Sequence, residues 1–245
     1  MRPLRAELSL PITRETARSG PSLSSLPMSS LVFYTDADNI VVATDTLAVR
    51  PDGSPFMFCS KATYVPHLRT IVAGTGAGGF AGDWAMQVNN RMVVNGIEHL
   101  NFHTPQALAV RWGDYRKTHN APDDFTTTVY HFGFSEDDGK IAVFAYRSTN
   151  NFTSERLPTG GFGVKPPSEV PEGGALTDVF EKIIRAQREE QDALPAAERI
   201  YIGGEVQFAH LTAQEHKVWT LFNFDDFEQQ RAQIFANFAK DRASS

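Results

Sequence analysis

A chain of 245 residues is long enough for one large domain or two small ones. With 41% apolar residues, 21% charged residues and a net charge of −6, it has neither the composition of a disordered chain nor the global basic footprint of a nucleic-acid binder. No apolar run approaches the roughly 18 residues that span a bilayer. The single cysteine, Cys59, excludes an internal disulfide framework and disfavours a thiolate metal cage, so a reducing cytoplasm is the expected setting, with no membrane partner.

Residues 1–28 differ from the rest. They carry Arg2, Arg5, Arg14 and Arg18 against Glu7 and Glu15, with four prolines and five serines and no sustained period. Disorder is expected there. The segment lacks the apolar core of a secretory signal. It reads as a targeting arm, a propeptide or upstream sequence that is never translated. In the third case translation starts at Met28, and removal of that methionine leaves Ser29 at the N-terminus.

From Ser29 the texture becomes β-rich. "SLVFYTDADNIVVATDTLAV" predicts two strands joined by a hairpin at Asp36–Asn39, where Asp and Asn suit a tight turn. "SPFMFCSKATYV" predicts a third strand, with Cys59 and Lys61 on one face by period two. "HLRTIVAGTG" predicts a fourth. "GFAGDWAMQVNNRMVVNGIEHL" has helical spacing, with Trp84, Val88, Met92 and Ile97 on one face. A further helix is expected over "TPQALAVRWGDYRKTH", with Thr104 as N-cap and Pro105 at the first helical position. "FTTTVYHFGF" and "GKIAVFAYRS" predict a hairpin over "SEDDG". An amphipathic helix follows over "ALTDVFEKIIRAQREEQDAL", then late strands in "RIYIGGEVQFAHLT" and "KVWTLFNF". The last helix, "DDFEQQRAQIFANFAK", has an acidic start and a basic end that match its dipole. Strands in blocks rather than in strict alternation with helices argue for an α+β protein with antiparallel sheets.

The stretch "SSLVFYTDADNIVVATDTLAV" resembles the opening of proteasome β subunits and their bacterial HslV relatives, in which the nucleophile begins the mature chain. Asp45 stands sixteen residues after Ser29 and Lys61 thirty-two, both in the family's register without a gap. "TIVAGTGAGGFAGDWAMQ" is similar to the family's strand, turn and first helix, and "ALAVRWGDYRK" to its second. The likeness covers about 29–165 and is architectural beyond. It implies a four-layer αββα sandwich of the N-terminal-nucleophile (Ntn) hydrolase type, two antiparallel sheets between helix layers, over a single domain 29–245. It also implies cleavage of a peptide or small amide without a cofactor or metal, assembly as a homo-oligomer, and service by an ATP-dependent unfoldase.

The chemistry accounts for the residue types. A serine hydroxyl needs an adjacent base, and a free α-amine with pKa about 7.7–8.0 can take its proton if Ser29 is terminal. The resemblance makes Lys61 the positive charge that favours the alkoxide and lowers the amine's pKa, and Asp45 the group that orients it. It places the oxyanion donor at the backbone N–H of Gly74, with Gly76 as the alternative. Two departures stand out. Serine replaces the usual threonine. The supporting aspartate and serine that precede a late glycine in the family are missing from "ERIYIGGEVQFAHLT", where Glu198 and Tyr201 are the available substitutes. His99, His103 and His119 have no metal-ligand spacing. Two other readings remain: a noncatalytic, ring-forming relative, and a dinucleotide-binding turn through the GxGxxG at Gly74, Gly76 and Gly79.

Overall fold

The structure, a computed structural model, describes residues 29–243, so the disorder expected for 1–28 lies outside the described residues. Those residues form a mixed α+β structure of four helices and three antiparallel sheets.

The first hairpin forms as its sequence predicts. β1 (Leu31–Thr35) and β2 (Ile40–Asp45) pair antiparallel, and Asp36 Oδ1 accepts from the backbone amides of Asp38 (2.9 Å) and Asn39 (2.7 Å), closing the turn from within. β3 (Leu47–Val49) and β4 (Pro55–Phe58) form a small separate sheet. β5 (Ala62–Val65), β6 (Thr70–Gly76), β7 (Thr127–Phe134), β8 (Ile141–Arg147) and β9 (Ser154–Arg156) make one five-stranded sheet in chain order. β10 (Gly161–Lys165), β1, β2, β11 (Glu205–Leu211) and β12 (His216–Asn223) make the other, in that spatial order. The helices are α1 (Phe80–Arg91), α2 (Ile97–His119), α3 (Leu176–Asp192) and α4 (Phe227–Ala243).

Strand alternation sorts the buried residues into three clusters. Leu31, Phe33, Val42 and Leu211 of one large sheet meet Ile71, Phe132, Val143 and Ala145 of the other. The opposite faces take helices: Val32, Tyr34, Val41 and Phe208 pack with Val179, Phe180, Ile183 and Ile184 of α3, whereas Val72, Val129, Phe144 and Tyr146 pack with Phe80, Trp84, Leu100 and Leu108 of α1 and α2. α4 covers the small sheet, with Phe227 stacked on Phe58 at 5.0 Å.

Three sequence expectations need correction. The predicted third strand is two: β4 and β5 belong to different sheets, and Cys59, Ser60 and Lys61 form the break between them, so Cys59 and Lys61 do not share a strand face. The first helical pattern is interrupted after Met92, and Ile97 opens the next helix. α2 then runs unbroken through Thr104 and Pro105, which are interior rather than capping positions. Proline costs a helix interior about 3 kcal/mol. The stripe of Ile97, Leu100, Leu108 and Trp112 buries four large side chains at about 1.5–3 kcal/mol each, which outweighs it. The start of α2 is capped from afar: the Glu136 carboxylate, in the β7–β8 turn, accepts from the amides of Glu98 (2.9 Å) and His99 (2.7 Å). β3 falls within the second predicted β run, whereas the short strands β9 and β10 were not foreseen. The GxGxxG turn does join β6 to α1, but β6 pairs antiparallel with both neighbours, so the parallel crossover that a dinucleotide-binding turn requires is not formed.

Candidate active site

The site is organised by one carboxylate. Asp45, the last residue of β2, is fully buried. Its Oδ1 accepts from the Ser30 backbone N–H (3.0 Å) and from Lys61 Nζ (2.9 Å), and its Oδ2 accepts from the Gly203 N–H (3.1 Å). Lys61 Nζ also donates to the Leu47 carbonyl (2.7 Å). Burial pushes the Asp45 carboxyl above its ordinary range, and the Lys61 ammonium and the two amides pull against that rise. A carboxylate in this setting is tolerable only while all three donors stay in place.

Ser30 faces α3 with Val32 and Tyr34, and its hydroxyl donates to Oε1 of the fully buried Gln187 (2.5 Å). Ser29 is the first described residue and stands two positions before β1. It is 8% exposed, and its carbonyl carbon carries the Ser30 nitrogen that shares Asp45 Oδ1 with Lys61. The three residues singled out by spacing, Ser29, Asp45 and Lys61, are therefore brought together.

Gly74 is brought there too, in another role. Its N–H donates to the Lys61 carbonyl at 3.2 Å, so the donor assigned to an oxyanion is already engaged. A Cβ at Gly74 would lie 2.2 Å from the Ala81 Cβ, which makes the glycine the condition for α1 to approach β6. Gly76 adopts φ +94°, and a Cβ there would strike the Thr126 carbonyl. Cys59, whose N–H donates to the Thr46 carbonyl, has a thiol pushed up chiefly by burial, with Lys61 pulling down and Asp45 pushing up; it is poorly suited to act as a thiolate.

The two substitutes for the missing late support are not found beside Lys61. Glu198 is exposed, and Tyr201 lines a cavity of about 200 Å³ with Arg188 and Asp226. The late segment reaches the site through the backbone of Gly203: its N–H donates to Asp45, and its carbonyl accepts from the amides of Thr46 and Leu47. Sequence reasoning missed Gln187 as well, although a signal existed. Gln187 continues the apolar stripe of Phe180, Ile183 and Ile184, and a glutamine there has to be satisfied inside the protein. Its Nε2 donates to the Pro166 carbonyl (2.5 Å).

Among the described residues no group of three or more His, Cys, Asp or Glu is arranged to hold a metal ion, and no helix is long and apolar enough to cross a membrane. His99 and His103 contact each other through their Nε2 atoms at 3.1 Å. No protein-family model matches the chain, and no curated protein matches it in sequence.

Proposed function

We propose that the chain is an N-terminal-nucleophile amide hydrolase, proteasome-like in its chemistry, with Ser29 as nucleophile once its α-amine is free. The observation that carries this reading is the shared Oδ1 of Asp45, which accepts from both the residue after Ser29 and the Lys61 ammonium. The helix-backed faces of the two large sheets support reading the fold as the four-layer αββα sandwich of that superfamily.

In the proposed reaction Ser29 Oγ attacks the amide carbonyl carbon and its proton passes to the α-amine, which Lys61 keeps poorly basic. The amine returns the proton to the leaving nitrogen as the C–N bond breaks, leaving a seryl ester. Water, deprotonated by the same amine, then attacks the ester carbonyl, and the amine returns the proton to Ser29 Oγ as the C–O bond breaks and the acid leaves. With the Gly74 amide engaged, the oxyanion donor falls to Gly76. Backbone amides two residues apart lie on the same strand edge, and Gly76 stands beyond Lys61, where pairing with the β5 side ends.

The substrate is a peptide or small amide, and a single unpaired cysteine fits a reducing cytoplasm. A homo-oligomer fed by an ATP-dependent unfoldase belongs to the same proposal. Most of the large apolar residues of α1 and α2 are spent on the chain's own core, but Met86, Phe102 and Val110 stay exposed, as does Val93 in the connector between the two helices. A noncatalytic relative is the second reading, favoured by the lack, before Gly203, of the aspartate and serine that support the terminal amine in the resembled chains.

The test is an electrophilic probe for terminal hydroxyls, with intact mass and N-terminal sequencing of the native protein. Labelling of a chain beginning at Ser29, and its loss in Ser29→Ala, is the expected result. Labelling undiminished in Ser29→Ala would place the nucleophile elsewhere, and a native chain that never takes up the probe would favour the noncatalytic reading.

A further inference from the structure

Gln187 and Arg188 are consecutive on α3, and both grip segments that Asp45 ties together. Gln187 holds the Ser30 hydroxyl. Arg188 Nη1 donates to the Ile202 carbonyl (2.6 Å), Nη2 to Asp226 Oδ2 (3.0 Å) and Nε to Asp192 Oδ2 (2.5 Å), and its guanidinium lies 5.4 Å from the centre of the Phe224 ring. The Ile202 carbonyl and the Gly203 N–H belong to one peptide unit, and in a trans peptide they point in opposite directions. One plane is thus held at its oxygen by a guanidinium and at its N–H by the carboxylate that holds Lys61.

We infer that Arg188 is a positioning residue of the candidate site, acting through the Ile202–Gly203 peptide on Asp45, an inference that rests on the hydrolase reading for its effect on catalysis. A cation at the carbonyl polarises the peptide and strengthens its N–H as a donor, which favours the ionised form of Asp45. That form is the one that orients Lys61. The charged and titratable groups around Asp45 are Lys61 and Cys59, both from the break before β5. Those around Arg188 are Asp192, on α3, whose other oxygen pairs with Arg199 (3.6 Å), and Asp226, just before α4. Arg188 therefore supports Asp45 from behind, through the peptide whose N–H Asp45 accepts.

A residue that merely ties α3 to α4 would affect stability but not the titration of Asp45. The experiment compares the native protein with Arg188→Met and Arg188→Lys. It follows the 13Cγ titration of Asp45 and hydrogen exchange at the Gly203 amide by NMR, and the pH profile of kcat/KM on fluorogenic peptide amides. In Arg188→Met the Asp45 titration and the acid limb of the profile are both expected to move up by roughly half a pH unit or more, with faster exchange at Gly203. Arg188→Lys, which keeps the charge but not the fork, should fall between. An unchanged titration and profile, with loss confined to the denaturation midpoint, would overturn the inference. If Arg188→Met does not fold, Arg188→Lys carries the same two readouts. If the native protein neither hydrolyses amides nor is labelled at Ser29, the hydrolase reading falls, and the Asp45 titration by itself decides the role of Arg188.

Discussion

Replacing Asp45 with alanine is the most informative perturbation of the fold around Ser29. The substitution strips three donors at once: the amides of Ser30 and Gly203 and the ammonium of Lys61. Each orphaned buried amide costs about 1–3 kcal/mol. Breaking a buried ion pair by deleting one partner costs about 3–5 kcal/mol. Here the Lys61 side chain is 11% exposed and keeps the Leu47 carbonyl, so its share belongs at the lower end. These losses overlap, because one relaxation around Asp45 serves all three donors. The expected total is about 4–6 kcal/mol, much of the roughly 5–15 kcal/mol that holds a typical domain together. Asp45→Asn keeps the shape and one acceptor but turns an NH2 toward a donor, so about 2–4 kcal/mol is expected. Lys61→Met alone leaves a buried carboxyl unpaired. The Asp45→Asn, Lys61→Met double variant should lose less than the sum of the single variants. Urea titrations at pH 7, read at constant m, measure all four. A loss below about 1 kcal/mol in Asp45→Ala would refute the reasoning, since no buried three-donor carboxylate could be removed so cheaply.

Lys61→Ala should remove nearly all amide hydrolysis without rescue by Lys61→Arg, whose planar guanidinium cannot replace a compact ammonium bound by Asp45 and Leu47; activity retained in Lys61→Arg would contradict that. Cys59→Ala should leave kcat/KM within about twofold, costing only packing, because its thiol is held protonated. Gly74→Ala should destabilise by about 1–3 kcal/mol through collision with Ala81, and Ala81→Gly should recover part of the loss; equal denaturation midpoints for Gly74→Ala and the native protein would show that α1 does not pack so closely. His131 is fully buried, accepts from Trp84 Nε1 (2.8 Å), and has its pKa lowered by burial to about 3 from 6.5. The unfolded chain binds this proton below about pH 6.5 and the folded chain only near 3. Stability should therefore fall across that window by up to about 1.4 kcal/mol per pH unit and stay flat above it. His131→Gln should flatten that slope in urea midpoints taken from pH 6.5 to 4, and an identical slope would disprove the assignment.

Much of this protein was readable before any contact was known. Two β-branched and aromatic runs on either side of Asp36–Asn39 mark the first hairpin, and Asp36 and Asn39 close its turn with their own side chains. The amphipathic stripe of α3 and the β7–β8 hairpin are equally local. The spacing of Ser29, Asp45 and Lys61 picked out residues that folding brings together around one carboxylate, although it could not show what each atom touches. Tertiary structure decided the rest, wherever the deciding bond spans a long sequence separation. The break at Cys59–Lys61 lies in an unbroken β-like run, and it is made by the Thr46 carbonyl accepting from Cys59 and the Lys61 carbonyl accepting from Gly74. The start of α2 depends on Glu136, thirty-eight residues from Glu98. Gly74 was assigned an oxyanion because strand pairing, which commits its N–H, is invisible in one strand alone. The support behind Asp45 comes from Gly203 and Arg188, residues that acquire meaning only when folding closes a loop of 158 residues between Asp45 and Gly203. Local periodicity is a property of neighbours and survives in the sequence. A buried carboxylate's partners are whatever the packed chain delivers to it, and only the fold determines those.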